Sequence, residues 1–158
     1  MIFFNTIEEL PELAYGFAER KHEGQFDKAG KPYIEHVKRV ASRIVNDPVA
    51  QAVAYLHDVV EDTDTSLDLI KHHFGILIAS YVDLLTRRKE ESYEDYIDRV
   101  STSSIATQIK IADLIDNMNL ARLQNVSKKD VKRQIKYAQA LKKLIEKEGD
   151  FNVCISDR

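Results

Sequence analysis

The chain reads as an all-α fold, a bundle of about seven to nine helices. Three observations point there. Only 5 glycines and 3 prolines punctuate 158 residues, too few for the turns of a many-stranded fold. Apolar residues recur at helical spacing in one segment after another, most of them opened by a capping residue. No stretch alternates apolar and polar residues over strand length.

In chain order, Thr6 to Glu9 has the form of a capping box and opens a helix carrying Leu10, Leu13, Ala14, Phe17 and Ala18. The polar stretch Glu23 to Pro32 holds Gly24 and Gly30 and reads as a structured loop. A second helix runs from near Tyr33 through Val37, Val40, Ala41 and Ile44 to Asn46. Asp47 suits the N-cap and Pro48 the first turn of a third helix, about Val49 to Glu61. That helix is apolar on most sides, so it should be buried. Ser66 caps a short helix that stops at Gly75, and another covers about Ile76 to Leu85. Ser92 caps a helix with Tyr93, Tyr96, Ile97 and Val100. Ile105 to Leu120 forms a further amphipathic helix, and Ser127 caps the last, which runs to about Lys147 with Gly149 beyond it.

The length suits one domain spanning residues 1–158 with room for a real core. Charged residues make up 31% and the net charge is -3. That balance argues against a nucleic-acid binder, whose surface carries a basic excess, and offers no affinity for anionic membranes. No apolar run approaches the ~20 residues of a membrane span. Met1 to Thr6 lacks the basic flank of a secretory signal. The single cysteine, Cys154, cannot form an internal disulfide. A reducing, cytoplasmic setting is expected.

The chemistry concentrates where the apolar pattern is violated. The buried third helix ends in His57-Asp58-Val59-Val60-Glu61-Asp62. Burying such charges without partners costs several kcal/mol, and a bound cation is the simplest compensation for imidazole and carboxylate together. Helical spacing puts His57 and Glu61 on one face and Asp58 and Asp62 on another. A metal near His57 and Asp58 then leaves Glu61 and Asp62 a turn away, placed for acid/base work. Asp113 follows the stripe Ile105, Ile109 and Ala112, with Asn117 one turn further on. His36 sits between Ile34 and Val37 near a helix start. Singly, each has an ordinary reading: His36 as a satisfied histidine, Asp113 as a partner for Lys110 or Arg122, Glu61 to Asp64 as a solvated helix end. His72 and His73 keep that ordinary reading.

Together, four segments carry a resemblance. They are His22-Glu23-Gly24-Gln25 with Gly30-Lys31-Pro32-Tyr33-Ile34-Glu35-His36, then Ala54 to Thr63, then Lys110-Ile111-Ala112-Asp113, then Asn117-Met118. The set resembles the hydrolase domain of the RelA/SpoT homologue superfamily, and the length is similar to its stand-alone small alarmone hydrolases. The resemblance implies an HD-domain helical bundle with one divalent metal, usually manganese, on His36, His57, Asp58 and Asp113. It gives Glu61 and Asp62 the catalytic acid/base work and Asn117 a nucleotide contact. The implied reaction removes 3′-pyrophosphate from guanosine tetra- or pentaphosphate. At this length no synthetase domain is expected.

Two departures bear on the substrate. Asp27-Lys28 stands where the family usually has Arg-Lys, and Asn119 stands where it usually has arginine; Asp116 adds another acid. A pocket wall less positive than in arginine-bearing relatives is therefore expected, with Asp27 as a repulsive carboxylate. Lys28, Arg20 and the run Arg87 to Lys89 are expected to hold the remaining phosphates, with Lys21 and Lys31 as further candidates. The alternatives are a phosphatase acting on NADPH or a nucleoside monophosphate, and a module that senses a nucleotide without turnover. Retention of both Glu61 and Asp62 argues against the sensor.

Overall fold

Helix α3 (Pro48–Leu56) is the buried axis of the half of the fold that carries the site. Asp47 starts it by accepting the Ala50 N–H at 2.9 Å, and Pro48 occupies the first turn, where no amide donor is missed. Its Ala50, Ala52, Val53, Ala54 and Leu56 are all buried. Three alanines keep the helix thin, so α1 (Leu10–Lys21) packs along it and α2 (Tyr33–Ser42) crosses it.

The computed structural model describes residues 6–148. Among these the order continues with α4 (Val59–Asp62), α5 (Leu67–Leu85), α6 (Tyr93–Val100), α7 (Ser104–Asn117) and α8 (Lys128–Glu148). Short 3-10 turns cover Ile7–Glu9 and Leu120–Arg122. No strand forms among the described residues; one isolated bridge joins Phe26 to Pro32. α7 packs against α2, α3 and α5, and α8 lies on α7 and α6. No helix among these residues is long and apolar enough to cross a membrane. Cys154 and Gly149 lie outside the described residues.

Most caps form as the sequence predicts. Ser66 and Ser92 each accept a backbone N–H in the first turn of α5 and α6, and Ser127 accepts that of Asp130 at the start of α8; Ser103, not singled out in the sequence, caps α7 in the same way. α5 breaks at Gly75, whose φ of 86 places it in the region that favours glycine. Four expectations fail. α2 stops at Ser42, four residues short of Asn46, because the chain tightens there, with the Arg43 N–H donating to Val40 O and the Ile44 N–H to Ala41 O at 3.1 Å each, and Asn46 turns to a φ of 60. Thr6 makes no side-chain cap, because the chain enters α1 through the 3-10 turn instead. α7 stops at Asn117, three residues short, and the chain tightens into the second 3-10 turn. The third predicted helix is two: it breaks at His57-Asp58 before α4. The break has a local cause. His57 Nδ1 lies 2.7 Å from the Ala54 carbonyl, the acceptor that the Asp58 N–H would otherwise use.

Candidate metal centre and cavity

Three junctions bring the polar groups together. α2 contributes His36 one turn after its start, the α3–α4 break contributes His57 and Asp58, and α7 contributes Asp113. One ligand atom from each lies within 4.8 Å of all the others. His36, His57 and Asp113 are no more than 3% exposed.

Hydrogen bonding fixes which ring nitrogens face inward. A carbonyl can only accept, so the His57 Nδ1 facing Ala54 O carries the proton. His36 Nδ1 donates to Asp116 Oδ2 at 2.7 Å. Both rings therefore present Nε2 to the cluster, and both Nε2 atoms are buried without a hydrogen-bond partner. They approach carboxylates closely: His57 Nε2 is 2.9 Å from Asp58 Oδ2, and His36 Nε2 is 3.2 Å from Asp113 Oδ1. Lone pairs facing carboxylate oxygens at such distances call for a positive charge between them. The electrostatics of the cluster point the same way. Burial alone would depress His36, but Asp113, Asp116 and Asp58 push it up to about 11. Burial is likewise overcome at His57, where Asp58 and Asp113 push it up to about 10. Two nitrogens and two oxygens, with their outer bonds already made, fit a divalent metal.

Each carboxylate has further hydrogen-bond donors. Tyr33 Oη donates to Asp58 Oδ2 at 2.6 Å. Asp113 accepts from Lys110 Nζ and from Asn117 Nδ2, each at 2.6 Å. Lys110 is thus the partner its ordinary reading named, and Asp113 still faces the histidines.

The cluster opens into a cavity of about 510 Å³. Glu61 and Asp62 line it, and burial raises each pKa from its ordinary value. Glu61 Oε2 accepts the Arg87 N–H at 2.8 Å, which ties α4 to the loop after α5. Across the cavity lie Lys28, Arg122, Arg133 and Tyr137.

The HD domain family matches residues 14–136 of this chain. The chain belongs to it. The HD domain is 37% identical over 117 residues to the human guanosine-3′,5′-bis(diphosphate) 3′-pyrophosphohydrolase MESH1, covering 66% of this chain and 65% of that one. It is 34% identical over 122 residues to the pyrophosphohydrolase of that name from Aquifex aeolicus, covering 70% of this chain and 17% of that one. It is 31% identical over 140 residues to a GTP pyrophosphokinase of Streptomyces coelicolor, covering 81% and 16%. The chain thus spans about a sixth of the length of those two bacterial relatives. A solved structure of a metazoan SpoT orthologue described as hydrolysing ppGpp shares the fold, with TM-score 0.77 and 23% identity over 96% of this chain and 91% of that one.

The HD domain also corrects the expected cavity wall. Asp27 is not a bare repulsive carboxylate. Its Oδ1 accepts the Ala29 and Lys31 N–H groups at 2.8 and 2.9 Å, shaping the loop, and its Oδ2 pairs with Arg122 at 3.0 Å. Asn119 accepts the Ala121 N–H and starts the second 3-10 turn. Arg122 pairs with Asp27 and Asp116 and not with Asp113. Arg20 is exposed on α1 and does not line the cavity; Lys28 and Asn117 do.

From the sequence, Asp116 counts only as one more acid and Arg122 only as a partner for Asp113, and Tyr33 and Arg133 carry no role of their own. Two of these had a signal. Ile109, Ala112, Asp113 and Asp116 stand at the i, i+3, i+4, i+7 positions of one helix face, and Tyr33 stands one turn before His36. The arginines reach the cavity from a 3-10 turn and from α8, through long-range packing that leaves no local pattern.

Proposed function

We propose that the chain is a metal-dependent phosphohydrolase that removes 3′-pyrophosphate from guanosine tetra- and pentaphosphate. One observation carries the reading: two histidine Nε2 atoms and two carboxylates converge at the floor of a cavity that Glu61 and Asp62 also line. The family relation and the names of the relatives support it.

His36, His57, Asp58 and Asp113 hold the metal, for which manganese suits a mixed nitrogen and oxygen set. When bound, the ion supplies a Lewis acid for a phosphoryl oxygen and lowers the pKa of water. Glu61 and Asp62 do the proton work. Their raised pKa values bring them nearer to neutrality, where a carboxylate both takes and returns a proton. In the overall reaction water oxygen bonds to the 3′-phosphorus, the P–O bond to the ribose 3′ oxygen breaks, and that oxygen leaves protonated. Lys28 and Arg122 meet phosphate oxygens, and Asn117 meets the nucleotide while steadying Asp113. A cytoplasmic location follows from the substrate.

A second reading has its own observation. Lys110, Arg122 and Arg133 each already pair with a carboxylate, which suits a substrate of lower charge such as NADPH. Turnover of a panel by manganese-loaded protein separates the two. Release of pyrophosphate from guanosine tetraphosphate well above phosphate release from NADPH or nucleoside monophosphates supports the first reading. The reverse order supports the second, and no turnover of any member overturns both.

A further inference from the structure

The two histidines of the cluster differ in what stands behind them. His57 Nδ1 donates to a neutral backbone carbonyl, Ala54 O. His36 Nδ1 donates to Asp116 Oδ2, a buried carboxylate. Asp116 lies on the buried face of α7, one turn after Asp113 and Ala112, and its side chain points away from the carboxylates of the cluster to the far side of His36. Its charge is retained by two arginines. Arg39 Nε reaches Oδ1 at 2.7 Å and Nη2 reaches Oδ2 at 3.2 Å, while Arg122 Nη2 reaches Oδ2 at 3.2 Å and the Asp116 carbonyl at 2.9 Å.

We propose that Asp116 is a positioning residue that makes His36 the stronger of the two histidine ligands. A carboxylate accepting the far N–H of an imidazole locks the tautomer and the ring plane and raises the donor strength of the inward nitrogen. A carbonyl does the first two and less of the third. The arginines keep Asp116 anionic and in place, so its negative charge reaches the metal through His36 rather than by joining the ligands. Arg122 also bonds Asp27 at 3.0 Å, which ties this support to the loop carrying Lys28. The inference rests on the metal reading of the cluster and does not depend on which nucleotide is hydrolysed.

The test is manganese titration of the metal-stripped full chain, read by the electron paramagnetic resonance of free Mn²⁺, alongside thermal melting of the metal-free protein. Three proteins are compared: wild type, Asp116→Asn and Arg39→Met. Both substitutions remove hydrogen bonds from the same network, so both lower the melting temperature. Only Asp116→Asn removes the carboxylate behind His36. It is expected to weaken Mn²⁺ binding about 10- to 100-fold, the usual effect of losing an outer partner of a ligating histidine. Arg39→Met leaves Asp116 bonded to His36 and Arg122, so it should keep near wild-type affinity. Equal weakening in the two variants, or unchanged affinity in Asp116→Asn, overturns the proposal. If wild type itself takes up no Mn²⁺, the metal reading fails with it; if wild type binds and the variants do not differ, only the inference about Asp116 fails.

Discussion

The floor and the far wall of the cavity are built on different physics. The floor consists of polar side chains set into buried helices: His36, His57, Asp113 and Asp116 are no more than 3% exposed, and each has a partner within its own tight packing. The far wall is assembled from a loop, a 3-10 turn and α8; the ion pair of Arg122 with Asp27 joins the turn to the loop, and Arg133 pairs with Asp130 within α8. A buried polar group left unsatisfied costs several kcal/mol, so those on the floor are held in fixed geometry. The floor is therefore over-determined and the wall is adjustable. The floor is suited to fixed chemistry and the wall to substrate selection.

The largest expected effect lies at the edge of the floor. Glu61→Gln should keep the metal and lose turnover by about 10²–10⁴-fold, the range for a general acid/base group. Steady-state rates with manganese present measure it. A loss under tenfold would move the proton work to Asp62 alone.

The next effect concerns the packing that makes the floor rigid. Leu56 is fully buried at the end of α3, directly before His57. Leu56→Ala should cost about 2–5 kcal/mol by chemical denaturation, because the thin, alanine-rich axis has little freedom to collapse into the gap. A cost below 1 kcal/mol would mean that the floor is more plastic than its burial suggests.

On the wall, Asp27→Ala removes the acceptor of two backbone N–H groups and of Arg122. It should cost about 1–3 kcal/mol in stability and raise the Michaelis constant, since the loop carrying Lys28 loses its shape. Asp27→Arg should behave no better, although it places a cation at the cavity edge. If Asp27→Arg instead lowered the Michaelis constant with stability intact, the turn-shaping role of Asp27 would be wrong.

The smallest effect is a pH dependence at the support of Glu61. Arg99 bonds both oxygens of Glu91 and also the Asp83, Leu84 and Thr86 carbonyls that end α5. The Arg99 contact, against burial, holds Glu91 down to about 2 from its ordinary 4.5. A depressed folded-state value means the stabilisation is complete above pH 4.5 and is lost as pH falls toward about 2. Glu91→Gln should flatten that part of the acid-denaturation curve. An unchanged curve would remove Glu91 from the support of the loop that holds Glu61.

The same contrast explains what could be read from the sequence. His57-Asp58 and Asp113 stood out because they interrupt apolar helical stripes, and only burial beside other polar groups makes such interruptions tolerable. The caps at Asp47, Ser66 and Ser92 were legible because each acts within four residues of itself. The break after Leu56 was not, since it depends on the His57 ring competing with the backbone for Ala54 O. Asp27 reads locally as a lost cation, and only the fold reveals its bonds to Arg122, 95 residues away. Arg133 and Tyr137 reach the cavity solely through the docking of α8 on α7.

In the proposed division His36, His57, Asp58 and Asp113 ligate the metal, and Glu61 and Asp62 transfer protons. Elemental analysis of stripped and manganese-refilled protein tests it most directly, comparing wild type, His57→Ala and Glu61→Gln. The division predicts one manganese per chain in wild type and in Glu61→Gln, and none in His57→Ala. Equal loss of metal from Glu61→Gln and His57→Ala would make Glu61 a ligand and contradict it.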